Sequence, residues 1–414
     1  MATLRPFRAL RPKIADAARI AAVPYDVVNV DEARALAAGN PLSFLHVSRA
    51  EVDLPPGADP YSNAVYQRAV ENFAALKRSS LVVEDEPSLY LYRLRTGSQE
   101  QIGLAGCYLL EEYDRDVIKR HERTRRDKED DRTRHMLALG AQTGPVFLTY
   151  RATADVDRIA AATTGTPPLF DFVAQDGVAH TVWRVGGADR DALVAAVERI
   201  PAMYIADGHH RAASAARTHA EMRDRRVPGT SLADGADSST FLAVAFPHDQ
   251  VQILPYNRVV KDLGGLSSKE FLAAVRNGFE ISPGSPKPAR RGEMAMYIDG
   301  RWHTLGPRVH PDESDPIGSL DVSVLQDQLL APVLSIADVR ADKRIDFVSG
   351  VRGPRELERL VDSGKAAAAF SMHPVSVQDL MAVSDAGAIM PPKSTWFEPK
   401  LRDGLLIHRI QVTL

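Results

Sequence analysis

The chain has 414 residues, of which 44% are hydrophobic, and its 51 basic and 54 acidic side chains leave a formal net charge of −3. At roughly 150 residues per domain this length predicts two or three domains with well-filled cores. The charge balance excludes a generally cationic nucleic-acid surface, and no window approaches the ~18 uninterrupted apolar residues of a spanning helix. Neither nucleic acid nor membrane is therefore an expected partner.

The N-terminus, Met1 to Arg8, carries no apolar signal segment, so the expected setting is the cytoplasm. In chain order, Ala22–Val28 predicts a strand interrupted or ended by Pro24, and Asp31–Gly39 a short capped helix. Ser43–Ser48 is a strand candidate. A loop rich in Pro and Gly follows at 54–60. Residues 61–79 carry Ala64, Val65, Ala69, Phe73 and Leu76 at helical spacing. Leu89–Leu94 and Gln101–Leu110 predict a hairpin turning at Thr96-Gly97-Ser98. The second strand holds the single cysteine, Cys107, in an apolar run. It reads as a buried structural thiol, and one cysteine excludes an intrachain disulfide and a cysteine-built zinc site.

A dense charge run, Lys119 to Arg134, leads into a helix predicted over 131–141. A strand follows at Pro145–Tyr150. Residues 151–200 predict helices near 155–162 and 189–199, with strands near 169–174 and 179–185. Met203–Ala206 is a short strand that runs through Asp-Gly-His-His-Arg into an Ala-rich helix over 212–225. A loop rich in Gly, Ser and Asp spans 226–239. Phe241–Phe246 is a fully buried strand candidate. Beyond 260, helices at 268–277, 323–330 and 354–363 alternate with strands at 295–298 and 366–372, and Pro283–Arg291 reads as a surface loop. The alternation predicts an α+β fold of mixed α/β layers.

Three constellations point to chemistry. In Asp207-Gly208-His209-His210-Arg211 a strand meets a glycine turn and a helix opens at once. The free N–H groups of such a helix start favour a bound anion. Gly208 permits a tight turn and close ligand approach, and Arg211 can grip phosphate with its planar fork. His209 and His210 can donate to phosphate oxygens or shuttle a proton. Asp207 is a base or an orienting group, or only caps the helix. No His/Asp pair is spaced for zinc, and neighbouring helix positions do not face one point, so a zinc centre is not expected.

The second constellation is Lys119-Arg-His121-Glu122-Arg-Thr124 with Lys128 and Arg132. Beside a phosphate site, Glu122 is a candidate general base, and Lys128 and Arg132 are candidate phosphate ligands. The alternative is a solvated charged loop and helix start. The third is Met390 to Lys400. Lys393, Ser394, Thr395 and Lys400 suit an oxyanion, although no Gly-x-x-x-x-Gly precedes them and the segment is not a Walker A loop. A Pro-stiffened turn is the alternative. Tyr25-Asp26 and the stretch holding His46 and Arg49 can line a pocket or pack as core.

Pro24-Tyr-Asp-Val, Asn40-Pro-Leu-Ser-Phe-Leu-His-Val, Arg120-His-Glu-Arg-Thr with Lys128-Glu-Asp, Ala206-Asp-Gly-His-His-Arg and the Met390–Lys400 segment together resemble domain-of-unknown-function family 1015. The resemblance runs from about residue 5 to 410. Its Asp-Gly-His-His-Arg element is similar to the phosphate turn of ParB/sulfiredoxin-like domains, a superfamily that includes kinases of free L-serine. The resemblance implies a ParB/sulfiredoxin-like core over 104–250, with an insertion at about 145–200. It implies an N-terminal α/β region over 1–103, and a C-terminal α/β region over 251–414 that contributes the Lys393–Lys400 loop. It assigns Glu122 as base for the substrate hydroxyl and Asp207–Arg211 as the phosphate cradle. Residues 145–200 make the interval between them longer than in the compact kinases. No adenine-binding signature is visible, so pyrophosphate stands beside ADP and ATP as donor.

The expected activity is phosphoryl transfer to a small-metabolite hydroxyl, first that of free L-serine. The catalytic set is Glu122, Asp207, His209 and His210. Phosphate is expected at Gly208, His209, His210, Arg211, Lys128, Arg132, Lys393, Ser394, Thr395 and Lys400. Substrate is expected at Tyr25, Asp26, His46, Arg49, His121 and Thr124. Mg²⁺ is expected on the donor phosphates and Asp207. The partners are the small-molecule substrate and donor, with room for a homodimer. The alternatives are a non-catalytic module binding a nucleotide or phosphometabolite, and a phosphomonoester hydrolase.

Overall fold

The computed structural model describes residues 1–224 and 237–410. Most of the Gly/Ser/Asp-rich stretch assigned to a loop therefore lies outside the described residues. The chain divides into two compact units. The first comprises Met1–Val251 and the chain from Pro399 on, and the second comprises Gln252–Glu398. Both combine helices with sheets, so the class is α+β. No helix among the described residues is long and apolar enough to cross a membrane.

The first unit is built on nine strands: β1 (Leu4–Arg5), β2 (Leu89–Thr96), β3 (Gln99–Leu109), β4 (Ile118–Lys119), β5 (Val146–Tyr150), β6 (Phe170–Val173), β7 (Ala179–Val185), β8 (Met203–Asp207) and β9 (Thr240–Pro247). Their order is β4-β8-β5-β9-β3-β2-β7-β6, and β1 pairs with β3. The pairs β4–β8 and β5–β9 are parallel and the others antiparallel. Strand β9 is buried along its whole length, as its unbroken apolar run requires of a central strand. The β2–β3 hairpin turns at Gly97, whose φ of 56° lies in the left-handed region glycine tolerates.

The sheet runs across the expected region boundaries. Strand β3 spans the position 103/104 drawn between two regions. The supposed insertion at 145–200 supplies β5, β6 and β7, and β5 lies between β8 and β9. Sequential segments that looked separable are joined because each needs a neighbour for its backbone hydrogen bonds.

Helices α1 (Asn63–Ser79), α2 (Arg126–Leu139) and α3 (His209–Asp224) carry the site. Helix α1 packs on α2, and α2 on α3. The apolar stripe of α1 buries Val65, Ala69, Phe73 and Leu76, but Ala64 is exposed. Helix α2 starts earlier than expected, with Asp127 and Glu129 in its first turn, where acidic groups favour the helix dipole. Helix α3 also starts early, so His209, His210 and Arg211 form its first turn. Its Ala212, Ala213 and Ala215 join one core with Leu104, Leu148, Ile205 and Phe241 from the sheet.

Two expected strands are absent. Ala22 makes only an isolated bridge to Asp403, and Leu45–Ser48 is one helical turn. That turn buries Phe44, Leu45 and Val47, three nearly consecutive positions. A strand would have sent neighbours to opposite faces. Cys107 is buried on β3 and burial pushes its thiol up.

The second unit has a six-stranded antiparallel sheet. Its strands are β10 (Tyr256–Val260), β11 (Phe279–Pro283), β12 (Met294–Ile298), β13 (Arg301–Pro307), β14 (Ile345–Ser349) and β15 (Ala368–Met372). Their order is β11-β13-β12-β15-β10-β14.

Candidate active site

The site of the first unit grows from the end of β8. Its pairing with β5 shifts register between Ile205 and Asp207. Such a bulge breaks the in–out alternation and re-aims a side chain. Ile205 is wholly buried, and Asp207 retains partial exposure. Gly208 then turns the chain at a φ of 91°. A Cβ there would meet Arg211 Nη1 at 3.2 Å and Val146 Cα at 3.4 Å. Helix α3 opens at the next residue, leaving its first N–H groups without partners within the helix.

Strand β4 runs parallel to β8 and delivers His121 and Glu122 beside this turn. Glu122 Oε2 lies 3.9 Å from His209 Nδ1. The rings of His121 and His209 meet edge-on, with centroids 4.5 Å apart. His121 is hydrogen-bonded to the backbone of Ile205, and burial pushes it down to about 4. Burial, followed by the neighbouring His121, holds His209 well below the ordinary imidazole range. Both imidazoles are thus neutral at pH 7. His210 Nε2 accepts from the Arg125 N–H at 3.0 Å, which ties the start of α2 to the start of α3.

The turn is balanced by ion pairs. Lys400 Nζ lies 3.3 Å from Asp207 Oδ2. Burial raises the Asp207 carboxyl, but Lys400 and Arg211 together hold it below the usual range, so it is ionised. Arg211 is buried. Its Nη1 donates to Pro145 O at 2.8 Å and its Nη2 to Asp26 Oδ1 at 3.1 Å. Two of its donors are therefore committed to protein, and Nε has no partner.

Behind the turn lies a small cleft lined by Tyr25, Ser48, Arg132, His135, Arg211 and Asp403 among others. Arg132 lies 4.1 Å over the Tyr25 ring and pairs with Asp131 at 2.7 Å. Arg49 donates to the Tyr25 carbonyl at 2.9 Å and pairs with Glu51. Asp403 is almost fully buried and its Oδ1 has no hydrogen-bond partner. Burial pushes its carboxyl up to about 7 although Arg211, Arg132 and Arg402 oppose this.

The structure thus brings Glu122, His121, Asp207, Gly208, His209, His210, Arg211 and Lys400 together, with Tyr25, Asp26 and Arg132 beside Arg211. Other expected residues have different partners. Lys128 Nζ bonds the Tyr61 hydroxyl at 2.8 Å. Thr124 donates to Glu129. His46 pairs with Asp53 at 2.7 Å and reaches the Asn40 carbonyl. Lys393, Ser394 and Thr395 belong to the second unit and Lys400 to the first, so the expected single loop is divided. The Lys393 carbonyl accepts from Arg258, and Ser394 donates to the Pro391 carbonyl at 2.7 Å. Sequence spacing offered no set of residues for zinc, but the fold assembles one. The possible ligand atoms of His121, Glu122 and His209 all lie within 4.8 Å of one another. Tertiary pairing of β4 with β8 creates this group, and sequence spacing does not reveal it. Asp403 was missed because Asp403-Gly404 carries only a turn signal.

Among solved structures, the chain is similar to a free serine kinase in complex with AMP, at 14% identity and a TM-score of 0.35, covering 75% of this chain and 95% of that one. It is similar to SbnI with a C-terminal truncation from Staphylococcus aureus, at 11% identity and a TM-score of 0.37, covering 72% and 85%. A conserved hypothetical protein from Pyrococcus furiosus matches at 15% identity and a TM-score of 0.35, covering 73% and 94%. No curated protein matches. The model of a protein family of unknown function, DUF1015, matches residues 4–323, and the chain belongs to that family.

Proposed function

We propose that the chain transfers a phosphoryl group to the hydroxyl of a small metabolite. Free L-serine, giving O-phosphoserine, is the first acceptor, and pyrophosphate, ADP or ATP is the donor. The carrying observation is the placement of the Glu122 carboxylate against the Gly208 turn, 3.9 Å from His209. The motif resemblance from Arg120 to Thr124 and from Ala206 to Arg211 supports the same reading.

In this reading Glu122 takes the proton of the acceptor hydroxyl as its oxygen bonds to phosphorus. The bond to the donor's bridging oxygen breaks, and the leaving phosphate or nucleotide departs with the electron pair. The N–H groups that open α3 hold the donor oxygens, and His210 and Lys400 add donors at the rim. Arg211, tied to Pro145 and Asp26, keeps the turn in shape. Catalysis of this kind is mainly positioning and electrostatics. Ionised Asp207 fits a magnesium ion as one carboxylate ligand, with donor phosphates and water as the rest. Bound there, magnesium would neutralise donor charge. The cytoplasm is the setting this reading implies.

Phosphorus NMR of the protein with L-serine and Mg²⁺, supplying pyrophosphate, ADP and ATP separately, tests it. An O-phosphoserine signal with one donor is expected. Silence with all three contradicts it, and inorganic phosphate released equally without serine marks a hydrolase instead.

A further inference from the structure

We propose that His121, Glu122 and His209 form a binding site for one divalent transition-metal ion of the zinc or cobalt class. Their possible ligand atoms lie within 4.8 Å of one another. With metal–ligand bonds of about 2.0–2.1 Å, tetrahedral donor atoms lie about 3.4 Å apart. The cluster therefore needs to contract by an ångström or so. The half-exposed Glu122 side chain can supply that movement by rotation about its own bonds, whereas both histidines are held in the interior.

Two further observations point to a ligand. His209 Nε2 is buried with no hydrogen-bond partner, so no protein group claims that ring nitrogen. His121 is hydrogen-bonded to the backbone of Ile205. A backbone bond to one ring nitrogen is the usual way a ligating imidazole is oriented. The rings cross at 89°, which fixes two aromatic ligands in different planes around one point.

The donor set selects the ion. Two imidazoles and one carboxylate suit zinc, cobalt and related ions, whereas magnesium prefers oxygen ligands. Three protein ligands leave a coordination position open, as in catalytic rather than structural zinc sites. This site is distinct from the magnesium position at Asp207. A Glu122 carboxylate bound to a metal ion is a much weaker base, so an ion held there competes with the proposed transfer.

The test is titration of the metal-stripped, tag-free chain with Co²⁺ alone, followed by visible absorption and calorimetry. One Co²⁺ per chain is expected, with the intense d–d bands of a four-coordinate site, and millimolar Mg²⁺ should not displace it. His121→Ala and Glu122→Gln should each weaken binding at least about 10-fold. Glu122→Gln is the decisive variant, because a half-exposed isosteric change preserves the fold, checked by circular dichroism. Absence of Co²⁺ binding, displacement by Mg²⁺, or unchanged binding in folded Glu122→Gln overturns the proposal. Because the readout is metal binding, its outcome is separable from that of the phosphotransfer reading.

Discussion

Replacing Asp403 by asparagine should make the protein more stable at neutral pH, in a way that depends on pH with a calculable sign. Asp403 is 3% exposed and its Oδ1 lacks a partner. Burial raises its carboxyl from 3.8 to about 7, the nearby Asp26 adds to this, and Arg211, Arg132 and Arg402 oppose it. A carboxyl raised on folding favours the folded state fully below its unfolded value, and that contribution is lost as pH rises through the folded value. At about 1.4 kcal/mol per pH unit, the penalty of ionising Asp403 reaches on the order of 4 kcal/mol above pH 7. Asparagine has the same shape and no charge to bury. The stability difference between Asp403→Asn and the natural chain should be near zero at pH 4. It should grow through pH 5 and 6 and level off above pH 7. Urea denaturation of both proteins across this range measures it. Buried histidines common to both proteins cancel in the difference. A difference that stays flat with pH, or a variant less stable at pH 8, would show that Asp403 carries no burial penalty.

Other outcomes follow from the same geometry. Gly208→Ala places a side chain at a φ of 91° and against Arg211 and Val146. It should cost about 1–3 kcal/mol and appear as a lowered Tm. Lys400→Met removes the partner of Asp207. Partial exposure of Asp207 and the remaining Arg211 limit the cost to roughly 2 kcal/mol. Because the Asp207 carboxyl is lowered on folding, that cost should be full at pH 7 and shrink as pH falls below about 4. Denaturation at two pH values checks both parts. Asp26→Asn, which leaves Arg211 buried without its carboxylate, should destabilise more than Lys128→Ala, whose partner is only the Tyr61 hydroxyl.

The strand-turn-helix at Asp207–Arg211 was legible because its signals are local: an apolar strand, a glycine, then helix formers. The same holds for the β2–β3 hairpin and for α1, whose apolar spacing survives any tertiary context. Ser43–Ser48 was not legible. A short apolar run fits a strand and a buried helical turn equally, and only the packing of Phe44 and Val47 decides. The neighbourhood of Glu122 and His209 depends on β4 pairing with β8, a contact between segments distant in sequence. The boundary between compact units falls inside the Lys393–Lys400 segment, and its local composition does not mark that boundary. Asp403 carries no motif, and its environment is assembled from Tyr25, Arg132 and Arg211.

The proposed role of Glu122, beside the Gly208 turn, is to activate a hydroxyl for phosphoryl transfer. Its most direct measurement is the initial rate of O-phosphoserine formation by Glu122→Gln against the natural chain, with the active donor saturating. The expected result is a loss in kcat of about 10²-fold or more, the scale of a general base, with donor binding retained. Equal rates in a folded Glu122→Gln would contradict it.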